Sequence, residues 1–445
     1  MKHKPRHVGH IRPLRSFCVV ALFAAQSLHA QTAAPTAGQQ SDPLVLAARV
    51  QQEVVDIRSL PFKRAVSIEK QSTEGFGRYL DSEMAESAPG VLAMMDQHFD
   101  KIVRRLGLYR GPVINDFRSM MRTVMTSQVA AYYDPKTKRV YILAGEADEL
   151  ERGLIYAHEL YHALQDQYFD LSGYTDDKLK LNGDQSLARV AVIEGEATYI
   201  HTLWAMRQVL GGTPPRALIA PAISMQAGLA ASALKEMVGE SAKGAAGIDE
   251  IPPFLLELMV GNYLKGAAFV FALQEQGWPA VEKLYKEYPP QSTEQILHPE
   301  KWVARENPSA ITWPAFDKEK ALKDWELIDE DVLGEIQWRS IFNAQGLQAD
   351  AEAAAAGWDG DRYAVFKRRG ADETLLLLRT SWDSEAEATQ FAEAYRRLLT
   401  LKYKGATDAV VVEQHGVDVF IVEGGQKANL DALIKIVRQA RKTGA

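Results

Sequence analysis

Apolar positions recur at helical spacing through most of this chain and shift to strand-like runs near its C-terminal end. The stretch 149–169 (ELERGLIYAHELYHALQDQYF) reads as one strong helix. A second helix is expected over 185–210, stopped by Gly211-Gly212 and Pro214-Pro215. Ahead of them, two runs rich in Tyr, Val and Ile flank Asp134-Pro135-Lys136-Thr137, which predicts a β-hairpin. Residues 43–125 mix helical segments with a short strand at Ala65–Glu69. Residues 216–250 are rich in Ala, Gly and Met and only weakly patterned, whereas Phe254–Trp278 reads as an apolar, buried helix. Tyr288–Trp302 is bounded by prolines and reads as irregular.

From about Gly357 the pattern becomes strand, strand, helix, strand, strand, helix. RYAVFKR and TLLLLRT form the first pair, Ser384–Leu399 the first helix, and DAVVVEQ and DVFIVEG the second pair around His415-Gly416. The predicted fold class is α+β, with a mainly helical core, an edge hairpin and a small C-terminal ββαββα domain over 357–445. Residues 311–356 are expected to be a helical connector.

The first thirty residues stand apart. Lys2, Lys4, Arg6, Arg12 and Arg15 precede a short apolar run, Phe17–Ala25, and a small residue, Ala30. That order predicts a signal peptide over 1–30, a linker over 31–42, and a periplasmic or secreted mature protein. The only cysteine, Cys18, falls inside the leader, so the mature chain has neither a thiol ligand nor a thiol nucleophile. The net charge of −7 becomes more negative once the basic leader is lost, which disfavours nucleic acid as a partner. No later apolar run of spanning length is free of charge, so no transmembrane helix is expected after cleavage.

The chemistry centres on YAHELYHALQ, Tyr156–Gln165. On a helix, His158 and His162 lie one turn apart on one face and can share a metal ion through their rings. Glu159 sits beside the first histidine, placed to take a proton from a metal-bound water. A random chain of this length carries His-Glu-x-x-His about once in a hundred cases, which favours a metal over coincidence. A third ligand is required, and no histidine follows at short spacing. The next helix instead holds Glu194 and Glu196 in an otherwise apolar stretch, where a carboxylate is costly unless it meets a cation.

HELYH followed by EGEA resembles the gluzincin group of zinc metallopeptidases. The resemblance spans about residues 125–300 and implies a metallopeptidase domain over 126–310 that holds one zinc per chain. By that likeness Glu194 is the third ligand, and Gly195 lets the two helices approach closely. Glu196 becomes a dispensable neighbour, or else a contact supporting the site. NYLKG, Asn262–Gly266, is similar to the segment that supplies a tyrosine to the oxyanion in gluzincin aminopeptidases. Tyr263 is therefore a candidate transition-state donor, with His298 as the alternative. The Gly-x-Met-x-Asn segment that holds a free amino terminus is missing, so the likeness favours an endopeptidase. It also implies an edge strand beside the substrate, near Tyr132 and Tyr133 or Tyr141 and Ile142.

The implied partner is a peptide or protein substrate. The rival reading is a catalytically silent envelope protein that keeps the zinc site, with the motif-free C-terminal domain binding a protein partner. Gln165 and Asp166, one turn after His162, read as a helix surface pair, with orientation of a ligand histidine as the alternative, and His201 reads as a packed histidine or one that supports a ligand. His201, two turns beyond Glu194, stands about 10 Å further along the helix axis, too far to share the ion.

Overall fold

The computed structural model describes residues 42–86, 89–143, 148–229, 233–236 and 251–444. The leader and nearly all of the expected linker lie outside these residues. The fold is α+β, as the pattern predicted.

Helix α1, Pro43–Arg58, starts where the Asp42 side chain accepts the Leu44 N–H and Pro43 occupies the first turn. Its buried stripe of Leu46, Ala47, Val50, Val54 and Arg58 repeats at three- and four-residue spacing, with a cation at the last position. Strand β1, Ser67–Gln71, leads to helices α2 (Thr73–Glu86), α3 (Pro89–Leu106) and α4 (Phe117–Gln128). The expected hairpin forms from β2, Ala131–Asp134, and β3, Arg139–Leu143. Strand β1, two residues later than its predicted position, pairs in parallel with β3, so β3 is central and β2 is an edge.

Helix α5, Glu149–Phe169, is capped by Asp148 and ends at Asp170 in a left-handed conformation. Helix α6, Gly183–Leu210, opens with a reciprocal Asn182–Gln185 capping box and ends at left-handed Gly211. Helix α7, Arg216–Ala227, follows. Helix α8, Pro253–Gln276, is long and apolar enough to cross a membrane by length and composition, but 61% of its most apolar window is buried in this fold. It contains a π-helical turn at Glu257–Gly261. Helices α6 and α8 cross at glycines: a Cβ on Gly195 would lie 2.2 Å from the Gly266 carbonyl carbon. A Cβ on Gly266 would lie 1.9 Å from the Ala191 oxygen.

Helix α9, Trp278–Lys286, precedes a departure from expectation. The stretch read as irregular contains α10, Thr293–Leu297, and α11, Pro299–Ala304. Ser292 caps the first by accepting the Gln295 N–H, and Pro299 opens the second. The 311–356 connector also differs. It contains helices α12, Gly334–Ala344, and α13, Gln348–Ala355, but also a strand. After β4, Ala310–Thr312, strand β5, Trp325–Asp331, joins the C-terminal sheet as its edge, with a register shift between Leu327 and Asp329.

The rest of that sheet follows the predicted order. Strands β6 (Trp358–Arg368) and β7 (Thr374–Trp382) precede helix α14, Glu385–Lys402. Strands β8 (Val410–His415) and β9 (Asp418–Glu423) precede helix α15, Leu430–Arg438. Strand β10, Arg441–Thr443, returns to pair with β4. The five strands run β5-β6-β7-β9-β8, all neighbours antiparallel. Ala364, Phe366, Leu375, Leu377, Phe420 and Val422 face α15. The alternate positions, among them Val365, Leu376 and Ile421, share a core with α3, α12 and α14.

Candidate metal centre

Helix α5 is buried on nearly every side over its middle turns, so its polar residues there must find partners inside the protein. His158 and His162 project one turn apart, and α6 brings Glu194 against them. Glu194 Oε2 lies 3.2 Å from His158 Nε2 and 3.4 Å from His162 Nε2. Charge-assisted N–H···O bonds are shorter, about 2.7–2.9 Å. Ligand atoms placed tetrahedrally about 2.0–2.1 Å from a zinc ion stand about 3.3–3.4 Å apart. Both Glu194 distances are close to that spacing, and His162 Nε2 is buried without a hydrogen bond. The three residues form a buried His–His–Glu group that can hold a metal ion.

The far side of each ring fixes its orientation. His162 Nδ1 lies 2.8 Å from Gln165 Oε1, an acceptor, which places the ring proton on Nδ1 and the lone pair on Nε2. Gln165 is wholly buried, so it is not the surface residue expected first, and its contact with His162 matches the alternative role of orienting a histidine. His158 Nδ1 lies 3.1 Å from His201 Nδ1. His201 does not join the ligand set. If His158 Nε2 held a metal ion, its Nδ1–H would donate to His201. Asp166 holds the hairpin instead, accepting from the Tyr133 hydroxyl and Lys138 Nζ, both at 2.6 Å.

The charges are consistent with a cation site. Burial pushes His158 down to about 4. Burial also works against a charge on His162, but the Glu194 carboxylate outweighs it and lifts that ring to about 9. Burial pushes Glu194 up, yet the His162 charge and the His158 hydrogen bond hold it below its usual range. Without an ion, the site neutralises its carboxylate with a proton.

Glu159, fully buried, accepts the Tyr133 backbone N–H through Oε2 at 2.8 Å. That N–H points away from β3, so the outer edge of β2 is bound to α5 at Tyr133. Tyr141 and Ile142 lie on the central strand, paired on both sides.

Glu196, expected to be a dispensable neighbour or else a contact supporting the site, is tied into the network behind it. It is fully buried, with Arg58 Nε at 3.0 Å, Gln165 Nε2 at 3.1 Å and the Tyr285 hydroxyl at 2.8 Å. Tyr263 is half-buried on α8, one turn before the Gly266 crossing, and outside the His–His–Glu group. His298 begins α11 with its ring nitrogens facing Glu335 at 3.0 Å and Glu300 at 3.7 Å, neither of them in that group. Sequence reasoning missed Arg58 and Tyr285, which lie in no motif. Gln165, three residues after His162, carried a usable signal.

A family model described as a domain of unknown function (DUF8575) matches residues 325–434. That span runs from β5 into α15 and does not include the His–His–Glu group. No curated protein and no solved structure matches the chain.

Proposed function

We propose that this protein is a zinc-dependent peptidase, an endopeptidase acting in the periplasm or outside the cell. The observation that carries the reading is the buried His158–His162–Glu194 group at ligand spacing, with Glu159 beside it. A zinc ion held there supplies Lewis acidity to a water and to the peptide carbonyl. Glu159 takes the proton of the attacking water on its carboxylate and returns it to the leaving amine. The Tyr133 N–H holds one oxygen of that carboxylate and fixes its orientation. Gln165 and His201 keep both ligand rings turned the right way. Tyr263, beside the α6–α8 crossing, is the proposed hydrogen-bond donor to the developing oxyanion. The alternative donor, His298, faces Glu335.

The test uses the purified full chain and its Glu159→Gln and Glu194→Ala variants. Glu159→Gln is expected to keep about one zinc per chain and lose peptide hydrolysis by several orders of magnitude. Glu194→Ala is expected to lose zinc. Cleavage by Glu159→Gln at the wild-type rate, or zinc retained by Glu194→Ala, refutes the reading.

A further inference from the structure

We infer that the N-terminal helix α1 positions the metal site from behind, through a buried relay running Arg58–Glu196–Gln165–His162. The inference rests on the zinc reading above and adds a control element to it. Arg58 Nε donates to Glu196 Oε1 at 3.0 Å, and Gln165 Nε2 donates to Glu196 Oε2 at 3.1 Å. Gln165 Oε1 then meets His162 Nδ1 at 2.8 Å. Both Glu196 and Gln165 are fully buried, and Arg58 is 1% exposed.

The chemistry of the partners fixes every orientation. Gln165 Nε2 also faces the Ile193 carbonyl at 3.1 Å. A carbonyl only accepts, so the amide NH2 must face it and the amide oxygen must face His162. His162 must answer with Nδ1–H, which leaves Nε2 for the ion. Arg58 holds the far oxygen of the Glu196 carboxylate, Oε1, and so fixes the group to which Gln165 donates. Its guanidinium is packed over Trp278 at 4.2 Å and bonded to the Tyr161 hydroxyl at 3.1 Å. The metal site therefore depends on a residue 138 positions from Glu196 along the chain.

Two variants of the full chain test this. Arg58→Met/Glu196→Gln removes both charges together, so no unpaired buried ion threatens the fold. Gln165→Met removes the acceptor from His162 directly. Zinc affinity is measured by competition with a chromophoric chelator, and the site geometry by the visible absorption of bound cobalt. Thermal melting of the metal-free proteins is recorded alongside. Both variants are expected to bind zinc about 10–100-fold more weakly than wild type, with a changed cobalt spectrum. Lower melting temperatures with unchanged affinity and spectrum overturn the inference, because the network is then only structural. Weakening in Gln165→Met alone overturns it too, because α1 then has no part. If the wild type binds no zinc, the peptidase reading falls as well, an outcome distinct from failure of the relay alone.

Discussion

His162 holds a proton at neutral pH in the metal-free site, because Glu194 lifts its ring to about 9 against the effect of burial. A ligating nitrogen must be deprotonated, so metal entry displaces that proton. Calorimetry at pH 7 in buffers of different ionisation enthalpy is expected to show about one proton released per zinc. The same shift has a sign for stability. The ring is raised from 6.5, so in the metal-free protein its contribution is complete below about 6.5 and lost as pH rises through about 9. Urea midpoints measured across that window check it. His158 and His162 were legible in the sequence because four-residue spacing fixes a shared helix face. The choice of Glu194 over Glu196 came only from the resemblance. Residues two apart on a helix point about 200° apart, so one carboxylate meets the histidines and the other meets Arg58, and no local pattern says which.

The elements that carry these residues meet through absent side chains. With a Cβ on Gly195 only 2.2 Å from the Gly266 carbonyl carbon, Gly195→Ala must push α6 and α8 apart. The expected cost is on the order of 1–3 kcal/mol, as for other overpacked cores, read from the denaturant midpoint. Zinc affinity should fall with it, since Glu194 is the adjacent residue. The helices themselves were legible from their apolar spacing, and the glycine pair read as a stop ends α6, though α6 begins two residues before the expected start. The strands were less so. Residues 325–331, WELIDED, carry too many acids to read as a strand alone, and they become one by pairing with β6. The parallel pairing of β1 with β3 joins residues far apart in sequence and leaves no turn signature. Short helices α10 and α11 were hidden by the prolines that flank or start them.

Across the whole molecule, the C-terminal sheet shares a core with the N-terminal helices, and Arg105 of α3 pins the two together. Its guanidinium donates to the Thr374 side chain and carbonyl and to the Tyr403 hydroxyl, each at 2.7 Å. Glu423 gathers Lys402 at 2.6 Å, Tyr403 at 2.5 Å and the Tyr395 hydroxyl. Burial pushes its carboxyl up, but Lys402 and Arg105 outweigh burial and hold it below the usual range. A lowered folded value contributes stability above the ordinary 4.5 and loses it as pH falls through that lowered value. Glu423→Ala leaves Lys402 buried without its counter-charge and is expected to cost about 3–5 kcal/mol. Because the core is shared, far-UV signals of helix and sheet should then disappear in one transition. The dependence of the metal centre on α1 also has a kinetic side. Its contacts close loops as long as the 138 residues between Arg58 and Glu196, and such closures come late in folding. A cation that binds only the finished site cannot hasten its assembly, but it must be released before the site comes apart. Stopped-flow experiments should therefore find refolding nearly indifferent to zinc and unfolding strongly slowed by it, so that metal sets how long a folded molecule lasts rather than how quickly one appears.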